Sequence, residues 1–103
     1  MADSNLRMTA TVMQTLKPFL ADPRARLSGA EIIRETKMFS GTLYPILMRL
    51  EGAGWLTSSW ESVDPSEVGR PRRRLYKITA LGQNLARAAI EEKGSRYGGL
   101  IWT

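Results

Sequence analysis

The chain contains no cysteine and no histidine. Without cysteine there is no disulfide framework and no thiolate metal site, a composition that fits a reducing, cytoplasmic compartment. Without histidine the commonest general base is missing, and with both absent most zinc chemistry is excluded too. Carboxylate or lysine catalysis survives these exclusions. No pair of carboxylates, however, shares an expected face beside a glycine loop, so an enzyme is the weakest functional class and no cofactor or metal site is expected. Long apolar runs are also missing: none approaches the roughly 20 residues of a membrane span. The opening M-A-D-S-N lacks the basic and apolar regions of a signal peptide.

Positive charge is present in excess. Fifteen Lys and Arg face ten Asp and Glu, for a net charge of +5 over 103 residues. Such a balance points to an anionic partner: nucleic acid, a membrane surface or an acidic protein. The excess is concentrated, since residues 70–77 read R-P-R-R-R-L-Y-K, five cations in eight residues. The length suits one domain, residues 1–103, with a core over 6–93 and a tail over 94–103.

The pattern predicts an α+β, mostly helical chain. A first helix is expected from about Leu6 to Lys17 or a little beyond, capped by Ser4 or Asn5, with Leu6, Val12, Met13, Leu16 and Leu20 as its apolar stripe. Pro18 and Pro23 bracket its end, and Arg26-Leu27 has room for a very short strand. Ser28 and Glu31 form a capping box for a second helix ending near Thr36. After the link Lys37-Met38-Phe39, Ser40 is the expected cap of a third helix, stopped by Gly52 and Gly54. Two short helices joined this tightly read as a helix-turn-helix. W-L-T-S-S-W-E (55–61) and R-R-R-L-Y-K-I (72–78) then read as the two strands of a wing, separated by a polar loop with Asp64-Pro65 and Gly69 as turn signals. Thr79 caps a final helix ending at Gly94, with Leu81, Leu85, Ala88 and Ala89 on one face.

The third helix carries a proline on its second turn. At about 100° per residue, Leu43, Ile46, Leu47 and Leu50 point inward. Gly41, Pro45, Met48 and Gly52 point the opposite way, flanked by Tyr44 and Arg49, with Thr42 beside Arg49. A solvated helix surface is usually rich in Glu, Lys and Gln, whereas small flat groups permit close approach. Tyr44 and Thr42 can donate to phosphate and Arg49 adds charge, while Pro45 and Met48 can touch thymine methyls. The competing reading is packing against another subunit or another part of the chain; the basic wing that follows favours DNA.

These residues resemble the PadR family of transcriptional regulators. The likeness lies in G-T-L-Y-P-I-L-M-R-L-E (41–51), G-W-L (54–56), W-E (60–61), G-R-P-R (69–72) and Y-K-I-T-A-L-G (76–82), and covers roughly residues 6–93. It implies a winged helix-turn-helix with a two-stranded wing and a C-terminal helix. It further implies a cytoplasmic, nucleoid-associated homodimer that binds double-stranded DNA and most often represses transcription; some members release DNA on binding a small-molecule effector. By position, Ser40, Gly41, Thr42, Tyr44 and Pro45 would face DNA, with Arg70 and Arg72 serving the wing. A final helix ending at Gly94 is short for the family, where it forms much of the dimer interface. Helix 1 and Tyr97, Leu100, Ile101 and Trp102 of the tail are therefore expected to complete that interface.

Within the wing, Gly69 and Pro71 make a stiff turn around Arg70 that suits insertion into a narrow minor groove. Arg73 and Arg74 point to opposite faces of a strand, so at least one should meet a phosphate or pair with a carboxylate. Asp64 and Glu67 would oppose DNA, which places the wing's contact nearer Gly69–Arg72. The expected DNA-facing set is thus Ser40, Gly41, Thr42, Tyr44, Pro45, Met48, Arg49, Arg70, Arg72 and Arg73. Trp55 and Trp60 read as core or wing packing, with lining of an effector cavity in the dimer as the alternative. Two other functions stay open: an architectural or recombination-directing DNA-binding protein of a mobile element, and a winged helix that binds protein.

Overall fold

The first helix starts later and runs further than its sequence pattern suggests. In the computed structural model, which describes residues 7–96, α1 spans Ala10–Ala21 and its cap is Thr9, whose hydroxyl accepts from the Val12 amide at 3.2 Å. The expected caps Ser4 and Asn5, and Leu6 of the stripe, lie outside the described residues. Pro18 stands inside the helix rather than at its end. The carbonyl it leaves without a donor is that of exposed Gln14, where water can serve, and continuing the helix buries Phe19 completely. Burial of Phe19, with Leu20 packed against the same core, thus offsets a local stop signal.

β1 (Leu27–Ser28) is the short strand expected one residue earlier. It adds a third strand to the sheet, where the sequence pattern shows a two-stranded wing. α2 (Gly29–Thr36) begins with the predicted capping box: Ser28 N donates to Glu31 Oε1 at 3.0 Å and Glu31 N to Ser28 Oγ at 3.2 Å. Its last turn closes on Lys37, a left-handed residue (φ 62°) whose amide reaches the Ile33 carbonyl at 2.7 Å. α3 (Ser40–Gly52) follows after three residues. The turn between them is fastened to α1, since Gln14 Nε2 donates to the Thr36 carbonyl at 2.9 Å and Thr15 Oγ1 lies 3.4 Å from Met38 Sδ.

β2 (Leu56–Trp60) and β3 (Arg74–Ile78) pair antiparallel, Leu56 opposite Ile78 and Trp60 opposite Arg74. β3 also pairs antiparallel with β1, giving the order β1-β3-β2. A single turn, α4 (Pro65–Val68), caps the wing loop; Asp64 accepts from the Ser66 amide, and Gly69 closes it at φ 71°. α5 (Ala80–Arg96) is capped by Thr79, whose hydroxyl accepts from Gly82 N at 2.9 Å, and runs two residues past Gly94. A Cβ on Gly82 would sit 2.2 Å from the Trp55 carbonyl oxygen, so this glycine lets α5 press directly on the α3–β2 turn.

The core lies where α1, α2 and α3 meet the sheet and α5. Leu16, Phe19, Ile32, Leu43, Leu47, Leu50, Trp55 and Ala86 are all buried there. The shared face of Leu81, Leu85, Ala88 and Ala89 meets the core only in part: Leu85 packs against it, whereas Leu81 is 46% exposed and Ala88 is on the surface, and the buried positions of α5 include Gly82 and Ala86. The close Gly82–Trp55 approach accompanies this placement.

Candidate nucleic-acid interface

α3 presents its two faces as its residue spacing predicts. Leu43, Ile46, Leu47 and Leu50 are buried, and Ser40, Gly41, Thr42, Tyr44, Pro45, Met48, Arg49 and Gly52 are exposed. Each buried aliphatic side chain stabilises the helix by roughly 1.5–3 kcal/mol. Together they offset Pro45, which costs about 3 kcal/mol in a helix interior. The carbonyl that Pro45 deprives of a donor belongs to exposed Gly41, so solvent can satisfy it. A Cβ at Gly41 or Gly52 would meet nothing within 4 Å, which makes the outer surface open and flat. Among the described residues, the side chains of Ser40, Thr42 and Arg49 make no hydrogen bond or ion pair.

Two details differ from the sequence-based expectation. Ser40 is the first residue of α3 rather than its cap; Phe39 holds the cap position and supplies no capping bond. Tyr44 is only half exposed because its ring lies over the start of α2, where a Cβ on Gly29 would fall 2.2 Å from the Tyr44 hydroxyl oxygen. Gly29 therefore positions Tyr44. Its place just after a helix-capping serine was the available signal, and the approach of α2 to α3 was needed to read it.

The wing is organised differently. Arg70 grips Glu61 with both arms of its guanidinium, Nη1–Oε1 at 2.7 Å and Nη2–Oε2 at 3.1 Å. Glu61 also accepts from the Arg73 amide at 3.1 Å. These bonds, the Arg70 one foremost, hold the Glu61 carboxyl at about 2, well below its ordinary range. Arg70 is pushed up in turn. Arg72 Nε donates to the Val63 carbonyl at 2.8 Å, leaving its charge at the wing surface. Arg73 is exposed. Arg74 is the cation that finds a carboxylate on the other strand face: it lies 3.9 Å from Glu51 and 3.0 Å from Ser58 Oγ, and Ser58 donates to Glu51 in its turn. Trp55 is core, but Trp60 is 62% exposed, with the Arg74 guanidinium 5.0 Å from its ring centroid. Glu61 and Trp60 gain these roles from strand register, which puts Trp60 opposite Arg74 and carries Arg70 back over Glu61.

Helix, turn, exposed helix and a cationic two-stranded arm define a winged helix-turn-helix. The family model for PadR-like transcriptional regulators matches residues 26–88. The chain belongs to that family, whose members bind DNA to regulate transcription. Solved structures agree. The structure of smu.1704 from Streptococcus mutans UA159 is 28% identical, with 93% of this chain and 88% of that one covered and a TM-score of 0.65. A PadR family transcriptional regulator from Eggerthella lenta DSM 2243 shares the fold at 23% identity, 87% and 77% coverage and a TM-score of 0.69. AbfR in its disulfide form is 25% identical with a TM-score of 0.67; the match covers 85% of this chain but spans only 59% of that one. A second AbfR structure, from Staphylococcus epidermidis, is spanned over 52% of its length. No curated protein matches the chain. No helix among the described residues is long and apolar enough to cross a membrane.

Proposed function

We propose that the chain is a sequence-specific repressor that binds double-stranded DNA as a homodimer, with α3 in the major groove and the wing at the minor groove and phosphates. The observation that carries this reading is the outer face of α3: exposed, without side-chain bonds among the described residues, and built from Gly41, Pro45, Met48 and Gly52 beside the hydrogen-bonding groups of Thr42, Tyr44 and Arg49. Ser40 stands at the leading end of the same face. Such a surface, small and flat with polar groups at its edges, fits a groove. Arg72 and Arg73 supply charge at the wing. Arg70 joins them only by giving up part of its grip on Glu61, so its minor-groove role comes with rearrangement of the wing turn.

Dimerisation is assigned to α1, α5 and the tail; Tyr97, Leu100, Ile101 and Trp102 lie outside the described residues. Exposed Leu81 on α5 is the kind of apolar side chain a partner would cover. An effector site belongs to the same proposal, between subunits. Trp55 is buried, so of the two tryptophans Trp60 is the one with surface to offer.

The test is a footprint on DNA upstream of the chain's own gene at about physiological salt. Protection of one inverted repeat, with affinity falling steeply as salt rises, supports the reading. Protection of extended tandem sites with bending would favour the architectural role. Failure to retain any duplex would favour protein binding and end the proposal.

A further inference from the structure

We propose that Phe39, in the turn between the two helices, is a base-reading side chain that contacts a thymine methyl at the leading end of α3. The inference rests on the DNA-binding reading above. Phe39 is 84% exposed, the most exposed large apolar residue among those described. It occupies the cap position of α3, where Ser, Thr, Asp or Asn would bond a free amide, and it makes no such bond. An aromatic side chain there gives the free chain neither packing nor a cap. Next in exposure comes Met48, at 72%, on the outer face of the same helix, so the two most exposed apolar side chains belong to one element and its cap.

In a helix-turn-helix the N-terminal residues of the second helix reach the base edges. Phe39 stands immediately before Ser40, Gly41 and Thr42, continuous with the proposed DNA face. In the major groove the apolar feature of a base pair is the thymine C5-methyl, which an aromatic ring can cover. Lys37, two residues earlier and exposed, places a cation beside the same turn, where the partner's charge is negative. A polyanion with apolar base edges answers both features, and an acidic protein surface would leave the ring without a matched contact.

The experiment uses the full chain and a duplex that it has been shown to protect. Each thymine of a half-site is replaced in turn by deoxyuridine, which removes only the methyl. Native protein should lose roughly fourfold in affinity at one thymine per half-site, the factor that one buried methyl is worth. Phe39→Ser should bind more weakly and be indifferent to that replacement, while its Tm rises because a cap has been restored. The rise shows that the variant is folded, and Phe39→Leu, which keeps an apolar tip, should recover part of the sensitivity. The proposal is overturned if Phe39→Ser binds as tightly as native protein with the same uridine sensitivity. It is overturned equally if Phe39→Ser loses the dimer in light scattering, which would make the ring a subunit contact. Should native protein protect no duplex, the DNA-binding reading itself fails, an outcome distinct from either of these.

Discussion

The outer face of α3 and the wing are both candidate DNA surfaces, and they manage their polar groups in opposite ways. Among the described residues the α3 side chains of Ser40, Thr42 and Arg49 have no internal partners, and the backbone of the same face is bare at Gly41 and Gly52. On the wing most cations are already engaged: Arg70 with Glu61, Arg72 with the Val63 carbonyl, and Arg74 with Glu51, Ser58 and Trp60. A helix keeps its shape through backbone bonds and core packing, so its outer side chains are free to serve a ligand. A two-stranded arm has little core of its own. Its side chains must hold the hairpin together, and charge that could meet phosphate is partly neutralised in the process.

The sharpest break of this contrast is Gly41→Glu. Open space surrounds the site, and glutamate is the better helix former, so stability should be unchanged or rise by about 0.5–1 kcal/mol. DNA binding should fall at least ~100-fold, because a like charge set against phosphate costs several kcal/mol. Thermal melting beside a binding titration separates the two effects. Normal binding by this variant would remove α3 from the interface.

Much of this was legible in the chain. The spacing of Leu43, Ile46, Leu47 and Leu50 assigns inside and outside of α3, because a helix with four buried positions has no freedom of rotation left. The Ser28–Glu31 box fixes the start of α2 by local bonding alone. Side-chain partners across the chain were not legible. Glu61 and Arg70 are nine residues apart, and their pairing depends on the α4 turn and on strand register, neither of which polar loop composition specifies. Which side of α5 turns inward is illegible for a similar reason: Leu81, Leu85, Ala88 and Ala89 share a face, but the close contact of the helix is made where Gly82 has no side chain, against the Trp55 backbone. Pro18 does not end α1, because its stop signal is a local cost while Phe19 and Leu20 beyond it are a tertiary gain.

A smaller effect is expected where α2 meets the proposed DNA face. In Gly29→Ala the new methyl must displace the Tyr44 ring, whose far end is free to move, so the fold should survive. On the proposed reading that Tyr44 donates to a phosphate, displacing its hydroxyl should cost about 0.5–1.5 kcal/mol, roughly two- to thirteenfold in affinity. Tyr44→Phe should reproduce the loss, and Gly29→Ala should add nothing in that background. Additive losses would mean that Gly29 acts by another route.

The wing answers to charge rather than shape. Glu61→Gln frees Arg70 and removes one negative charge, so affinity for any duplex should rise modestly and the salt dependence should steepen by about one counterion. The same variant reports on the free chain. The Glu61 carboxyl lies at about 2 in the folded chain against an ordinary 4.5, so its contribution is fully present above pH 4.5 and is lost as pH falls from there towards 2. Melting temperature against pH should drop across that window in native protein and less in Glu61→Gln. Equal slopes would show that the Arg70–Glu61 pair does not hold the wing.

The smallest effect belongs to the turn that joins the two regions' common scaffold. Lys37 ends α2 in a left-handed conformation that costs an L-residue with a side chain roughly 1–2 kcal/mol. Lys37→Gly should relieve that strain, though glycine's greater freedom in the unfolded chain takes back part of the gain, leaving about 0.5–1 kcal/mol. On the reading that the turn borders DNA, the more stable variant should bind slightly more weakly, with a salt dependence shallower by about one counterion. A gain in stability with an unchanged salt slope would place Lys37 away from the phosphates and confine the contact surface to α3 and the wing.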